Sequence, residues 1–388
     1  MAKNKSTFYI IYVLAFAATI ADAIAGYAQS SYLNLFLPLN YIGLFLSLVT
    51  VITITTSFVY PRLIARHPMS RLIFITYLGS IIASLILSSR GPIWLILIAF
   101  IIRYLSFTFL MINLDIFLEN ISTNRRTGII RTQYLTTLNM AWLISPLLMG
   151  HIVGANNDYP QTYYIGGLVL LAALIFFIFT RHQLPHPRIH YQKQNIKKGI
   201  RKLMGHNDRR RIFLSSLVLQ FFYALMSLYI PIYLHQYIGL SWPTLSIIFT
   251  IMLIPFVILE LPAGALADRI LGEKEMLMVG NIIMIISVIG IFLTSSTSPF
   301  VWGVLLFCSR VGAALAESMQ ESYFYKKIDS HDTAVINLYR QNRPLGWLLA
   351  SLTAFVVLSF CSLPAIFIVL VLGLILGLIP ILGIRDTR

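Results

Sequence analysis

Four ionisable side chains stand well inside long apolar runs: Asp22, Arg103, Arg310 and Glu317. A charge at membrane depth is costly and usually faces a wet cavity, a partner charge or a substrate. Arginine offers a planar, permanently charged fork that suits carboxylates and phosphates. A buried carboxylate can take up and release a proton, because desolvation opposes its charged form and a nearby Arg favours it. Gln220, Tyr223 and Tyr229 add polar groups to another apolar run. Arg310 and Glu317 are seven residues apart, hence on one face of a helix. These residues support two readings. In one, the arginines meet an anionic substrate group or carboxylate partners while Asp22 and Glu317 titrate as coupling groups. In the other, they are fixed ion pairs that hold helices in register. Asp115 with Glu119, and Glu317 with Glu321, repeat an i, i+4 pattern; Asp115, Glu119 and Glu321 lie nearer the ends of their runs and read as gate or structural charges. Tyr27, Tyr223 and Trp142 can stack on a solute or simply pack.

Other chemistries find no support. An enzyme would need a nucleophile with a base, or metal ligands, at one place; His151 and His235 stand near the ends of their runs, and no Asp/His cluster lies inside one. His182, His186 and His190 have helical metal-ligand spacing, but Pro185 and Pro187 interrupt the helix and no carboxylate assists. The two cysteines, Cys308 and Cys361, form no metal-type spacing. No Gly-x-x-x-x-Gly-Lys-Ser/Thr loop occurs, so no ATP site is expected. Neither cofactor nor metal is expected.

The elements that must position these residues follow from composition. The chain has 388 residues, 58% hydrophobic and 11% charged, with mean hydropathy +0.80. Soluble domains carry about a quarter charged residues, and a membrane span needs about 20 apolar residues. Such runs recur throughout. A β-barrel would need short alternating segments instead. Twelve transmembrane helices are predicted, at about 8–37, 41–63, 71–88, 92–118, 128–154, 160–180, 211–238, 242–267, 274–296, 299–326, 333–360 and 362–384. The first is too long for the core of a cleavable signal peptide and reads as a retained span.

The basic residues orient the spans. Of 29 Lys and Arg, 26 fall in alternate loops or at the termini; Arg90 alone lies in the opposite set, and Arg103 and Arg310 are inside spans. Basic loops stay cytoplasmic, which places both termini there. The formal charge of +15 would suggest nucleic acid in a soluble protein; here it reports topology. The longest polar stretch, RHQLPHPRIHYQKQNIKKGIRKLMGHNDRRR at 181–211, divides the chain into six spans and six. It reads as a basic linker, able to meet anionic lipid headgroups. The domain plan is therefore 1–180, a linker at 181–210, and 211–388.

The halves echo each other. Arg103 and Arg310 are 207 residues apart, NMAWLISP and PLGWLLAS around Trp142 and Trp347 are 205 apart, and RLIARHPMSR parallels GALADRILGEK at about 202. A shared offset at matching places implies two bundles of one topology, related by an axis along the membrane normal, with the substrate site between them.

At GALADRILGEK the chain resembles the major facilitator superfamily of secondary transporters. Gly264, Asp268, Arg269, Gly272 and Lys274, preceded by Glu260 and Pro262, are similar to the signature loop of that superfamily between spans eight and nine. The resemblance implies an all-α membrane protein with two six-helix bundles related by a pseudo-two-fold axis. It also implies that spans one, four, seven and ten line a central cavity, and that the motif latches the cytoplasmic side. Glu321, Arg340 and Arg343 are the expected latch partners. The first-half copy departs from the pattern, with Arg66 in the acid position and no glycines. In span five, Ser145-Pro146-Leu-Leu-Met149-Gly150 partly matches a motif of efflux-type members.

The expectation is a monomeric secondary transporter in the plasma membrane, exporting a small organic solute by alternating access with proton coupling. The candidate cavity comprises Asp22, Arg103, Gln220, Tyr223, Arg310 and Glu317. The alternatives are an importer or uniporter of a small metabolite, and a non-transporting sensor on the same fold.

Overall fold

The computed structural model describes residues 2–121, 127–184, 196–259, 262, 267, 272–328 and 333–385. Among them the ordered elements are helical. They are α1 (Ala2–Gly26), α2 (Gln29–Leu33), α3 (Leu39–Arg66), α4 (Met69–Ser88), α5 (Ile93–Ile121), α6 (Thr127–Val153), α7 (Tyr159–Thr180), α8 (Ile196–Met204), α9 (Asn207–Ile232), α10 (Trp242–Ile258), α11 (Glu273–Leu293), α12 (Pro299–Lys326), α13 (Thr333–Arg340), α14 (Asn342–Phe360) and α15 (Ala365–Gly383). Eleven of the helical stretches are long and apolar enough to cross a membrane; α10, apolar but shorter, supplies the twelfth. Within hydrocarbon only helices and closed barrels satisfy every backbone group, and the long side chains of this sequence leave the outer faces of its helices apolar, as at Trp94, Phe179, Phe300 and Phe360.

Two expected spans are interrupted. The stretch 8–37 divides at Tyr27–Ala28 into α1 and the short α2, and residues 34–38 turn the chain before Pro38 leads into α3. The stretch 333–360 breaks at Gln341. Pro344 explains that break: its ring would clash with the Arg340 carbonyl of a continuous helix, and it has no N–H to donate there. In α9, Pro231 is followed by a π-helical turn, Tyr233–Tyr237, the kind of local widening that often accompanies a bent helix.

The chain forms two compact units. The first comprises Met1–Phe36 and Val51–Gln192; the second comprises Leu37–Thr50 and Lys193–Arg388. In the first, α1 packs on α5, α6 and α7, while α4 packs on α5 and α7. In the second, α9 packs on α12, α14 and α15, while α11 packs on α12 and α15. Counting spans in order, each neighbour in the first unit has its counterpart six spans later in the second. The offset visible in the sequence thus corresponds to the same packing plan used twice.

Small residues set the closest crossings. A Cβ added at Gly280 would lie 2.6 Å from the Gly312 carbonyl oxygen, and one at Gly312 would lie 2.5 Å from the Gly280 oxygen. Helices α11 and α12 therefore meet backbone to backbone, the arrangement that small residues permit in membranes. Near the start of α3, a Cβ on Gly43 would lie 2.5 Å from the Ser351 oxygen of α14 and 3.2 Å from the Tyr229 hydroxyl.

Candidate transport site

The predicted cavity residues fall into two clusters, one in each unit. In the first unit, Arg103 stands on α5 and is 6% exposed. One terminal nitrogen, Nη2, donates to the Asp22 carboxylate at 2.9 Å and to the Ala21 and Asp22 carbonyls at 3.2 and 3.3 Å. The other, Nη1, donates to Ser84 Oγ at 3.3 Å. The guanidinium also lies over the ring of Tyr163, 5.3 Å from its centroid. Desolvating an ion costs several kcal/mol, and only excellent geometry with further hydrogen bonds offsets it. Arg103 has both: a counter-ion, three neutral acceptors and an aromatic face, drawn from α1, α4 and α7. The sequence left Asp22 and Arg103 open between a functional and a structural role; the two form an ion pair, which both readings allow.

Arg310, the counterpart on α12, is placed differently. It is 5% exposed, and its guanidinium lies over Phe222 and Tyr223 of α9, 5.4 and 5.5 Å from the two centroids. Its Nε is buried without a hydrogen-bond partner, and no carboxylate among the described residues lies within 4 Å of it. A desolvated cation–π contact is worth about 2 kcal/mol, less than the loss of hydration of a buried cation.

Glu317, two turns along α12, is half-buried and accepts a hydrogen bond from the Tyr223 hydroxyl at 2.8 Å. The basic charges that act on it through space are Arg343 and Arg310; among the described residues neither comes within ion-pair distance. Tyr223 therefore touches both charged groups, presenting its face to Arg310 and its hydroxyl to Glu317. Its ring also meets Phe256 of α10, 6.1 Å between centroids. Gln220, one turn before Tyr223 on α9, packs its Cβ against α14 at Gly346. Tyr27 and Trp142, offered by the sequence as stacking groups, pack edge to face on each other at 6.3 Å.

Of the expected latch, Glu260, Gly264, Asp268 and Arg269 lie outside the described residues. Gly272 has φ 86° and caps the start of α11, a backbone conformation that glycine adopts without strain. Lys274, Glu321, Arg340 and Arg343 are partly or fully exposed. The ion pair formed here was missed by the sequence reading. Glu273, 2% exposed in the first turn of α11, pairs with Lys326 and accepts from Ser322 Oγ at 3.2 Å, both on α12. A carboxylate is favoured at a helix N-terminus, so its position just after Gly272 was the available signal. Asp115 pairs with Arg131 at 3.4 Å, joining the end of α5 to the start of α6, in keeping with a structural charge. Of the three spaced histidines, His186 and His190 lie outside the described residues.

A multi-pass helical protein with ionisable clusters on spans one, four, seven and ten has the build of a membrane transporter. The chain belongs to the Major Facilitator Superfamily, whose profile matches residues 9–351. The class defined by family and fold is that of a secondary transporter. Among solved structures, the nucleoside transporter NupG has the same fold, with TM-score 0.78, 12% identity, and coverage of 97% of this chain and 98% of that one. A bacterial homolog of the human lysosomal transporter Spinster, inward-facing and unoccupied, gives 0.74 at 12% identity, covering 98% and 96%. A POT family transporter in complex with 5-aminolevulinic acid gives 0.78 at 9% identity, covering 96% and 94%. At these identities the likeness is one of fold. No curated protein matches the chain.

Proposed function

We propose that the protein is a proton-coupled exporter of a small organic solute, working as a monomer in the plasma membrane with both termini cytoplasmic. One observation carries the coupling: Glu317 is a carboxylate on a membrane-spanning helix that is held by a phenol hydroxyl and no ion pair among the described residues. It can take up a proton without abandoning a counter-ion, whereas Asp22 cannot. The solute and the proton bias the protein between outward- and inward-facing states through their different affinities for the two. In this reading the cluster around Arg103 is a fixed brace within the first unit and the cluster around Arg310 is the working site of the second. The Gly264–Lys274 loop acts as the cytoplasmic latch, and the basic linker at 181–211 lies on anionic headgroups. The partial efflux motif at Ser145–Gly150 and the positive-inside loops support the direction and orientation.

The test is solute flux in proteoliposomes under an imposed pH gradient. Glu317→Gln is expected to abolish gradient-driven accumulation while leaving solute exchange between equilibrated compartments. Flux indifferent to both the gradient and Glu317→Gln would remove the coupling from the account.

A further inference from the structure

The two membrane arginines occupy matching places in the repeat and have opposite surroundings. Both terminal nitrogens of Arg103 are engaged, on Asp22, Ser84 and two carbonyls. Arg310 is buried to the same degree, yet its guanidinium has aromatic faces beside it and no acceptor among the described residues. We infer that the transported solute carries an oxyanion head, a carboxylate or a phosphoryl group, and that Arg310 receives it. This rests on the transport reading above and specifies its solute.

An arginine does not lose its charge in a protein, so Arg310 cannot escape its burial by deprotonation, as a lysine could. Phe222 and Tyr223 set ring faces beside the guanidinium, and a ring supplies no oxygen acceptor for its edge, where the N–H groups point. That edge presents parallel donors matched to two oxygens of one planar or tetrahedral oxyanion. Nor does Glu317 satisfy it: among the described residues the two do not come within ion-pair distance, and the carboxylate accepts instead from the Tyr223 hydroxyl at 2.8 Å. Arg310 and Arg343 both act on Glu317 through space, so a negative group that reaches Arg310 meets a second positive charge nearby. The aromatic groups on α9 and α10, Phe222, Tyr223 and Phe256, suit an apolar or aromatic body behind the head. Tyr223 ties the two events together. A solute that draws the guanidinium moves the ring it rests on, and that ring carries the hydroxyl bound to Glu317.

The experiment measures ligand binding to purified full-length protein in detergent, by thermal shift followed by equilibrium titration. Four probes separate the chemistries: benzoate and phenyl phosphate, with their neutral counterparts benzamide and phenol. At least one anion is expected to raise the melting temperature, as any ligand selective for the native state does, and its neutral counterpart is not. Which of the two anions binds more tightly separates a carboxylate head from a phosphoryl head. Arg310→Gln is expected to weaken the bound anion by at least about thirtyfold, the effect of removing one member of a buried charge pair. Arg310→Lys keeps the charge, loses the fork, and is expected to weaken it several-fold; it serves in place of Arg310→Gln should that variant not fold. The inference is overturned if neither anion binds the wild type, if the neutral counterparts bind as well, or if the variant that folds keeps the wild-type affinity. Binding is read without any gradient, so a protein that binds anions but moves nothing would sink the transport reading alone. Flux of a neutral solute would sink this inference alone.

Discussion

The Asp22 carboxylate lies 2.9 Å from Nη2 of Arg103, and the same nitrogen reaches the carbonyl oxygens of Ala21 and Asp22. One side chain on α5 thus binds both the side chain and the backbone of α1. Breaking such a pair from either end leaves a charge in hydrocarbon with no counter-ion. Asp22→Ala and Arg103→Leu are each expected to lower stability by about 3 kcal/mol, whereas the double variant recovers much of that loss. Melting of the purified variants in detergent checks this; a double variant no more stable than either single one would contradict the brace.

Tyr223→Phe keeps the aromatic face under Arg310 and removes only the hydroxyl that Glu317 accepts from. A hydrogen bond to a charged group is worth about 1.5–3 kcal/mol. Gradient-driven flux is therefore expected to fall about tenfold or more, with the fold intact by melting temperature. Flux equal to wild type would separate Tyr223 from coupling.

Glu273 is buried and Lys326 is partly exposed, 3% against 45% by side chain, so the two ends of this pair are unequal. Lys326→Met strands a buried carboxylate and is expected to cost about 2–3 kcal/mol. Glu273→Gln keeps the hydrogen bond to Ser322 and is expected to cost less. Raising the salt concentration is expected to change the wild-type melting temperature little, because a buried partner is poorly screened. Equal losses in the two variants would show that the pair behaves as an ordinary surface contact.

Gly43 allows α3 to touch the backbone of α14. Gly43→Val places methyl groups where the Ser351 carbonyl and the Tyr229 hydroxyl now stand, and α3 must withdraw. In a Ser351→Cys background, otherwise completely buried at this position, the change is expected to speed labelling by a membrane-impermeant maleimide severalfold. Unaltered labelling would mean that the neighbouring side chains absorb the added bulk.

The sequence was informative about length and side, and less so about partnership. Runs of about 20 apolar residues can only be spans, and the alternation of basic loops orders them. The breaks at Tyr27–Ala28 and Gln341 escaped because hydropathy is blind to them; Pro344 marked the second for a reader tracking backbone donors. The ion pairs are a matter of tertiary packing. Asp22 and Arg103 meet across 81 residues of chain, and no spacing rule announces it. Arg310 and Glu317 share one helix and a favourable interval, yet Tyr223 of α9 takes the carboxylate. Phe222, which shares Arg310 with Tyr223, looked like any other apolar residue of its run. Glu273 was overlooked beside Lys274, since both stand in one charged turn and only burial tells them apart.

The crossing of Gly280 with Gly312 has a bearing on the working site. Two backbones in direct touch admit no sliding, since a shift of one residue would drive a Cβ into a carbonyl oxygen. Helix α11 is thereby a splint on α12, and Arg310 stands only two residues from the point where the splint is tied. The guanidinium keeps its station because a neighbouring rod denies its own helix the freedom to slip, roll or stretch. Any travel of that charge across the bilayer must be travel of the whole splinted assembly, as cargo moves with the crane and not along its arm.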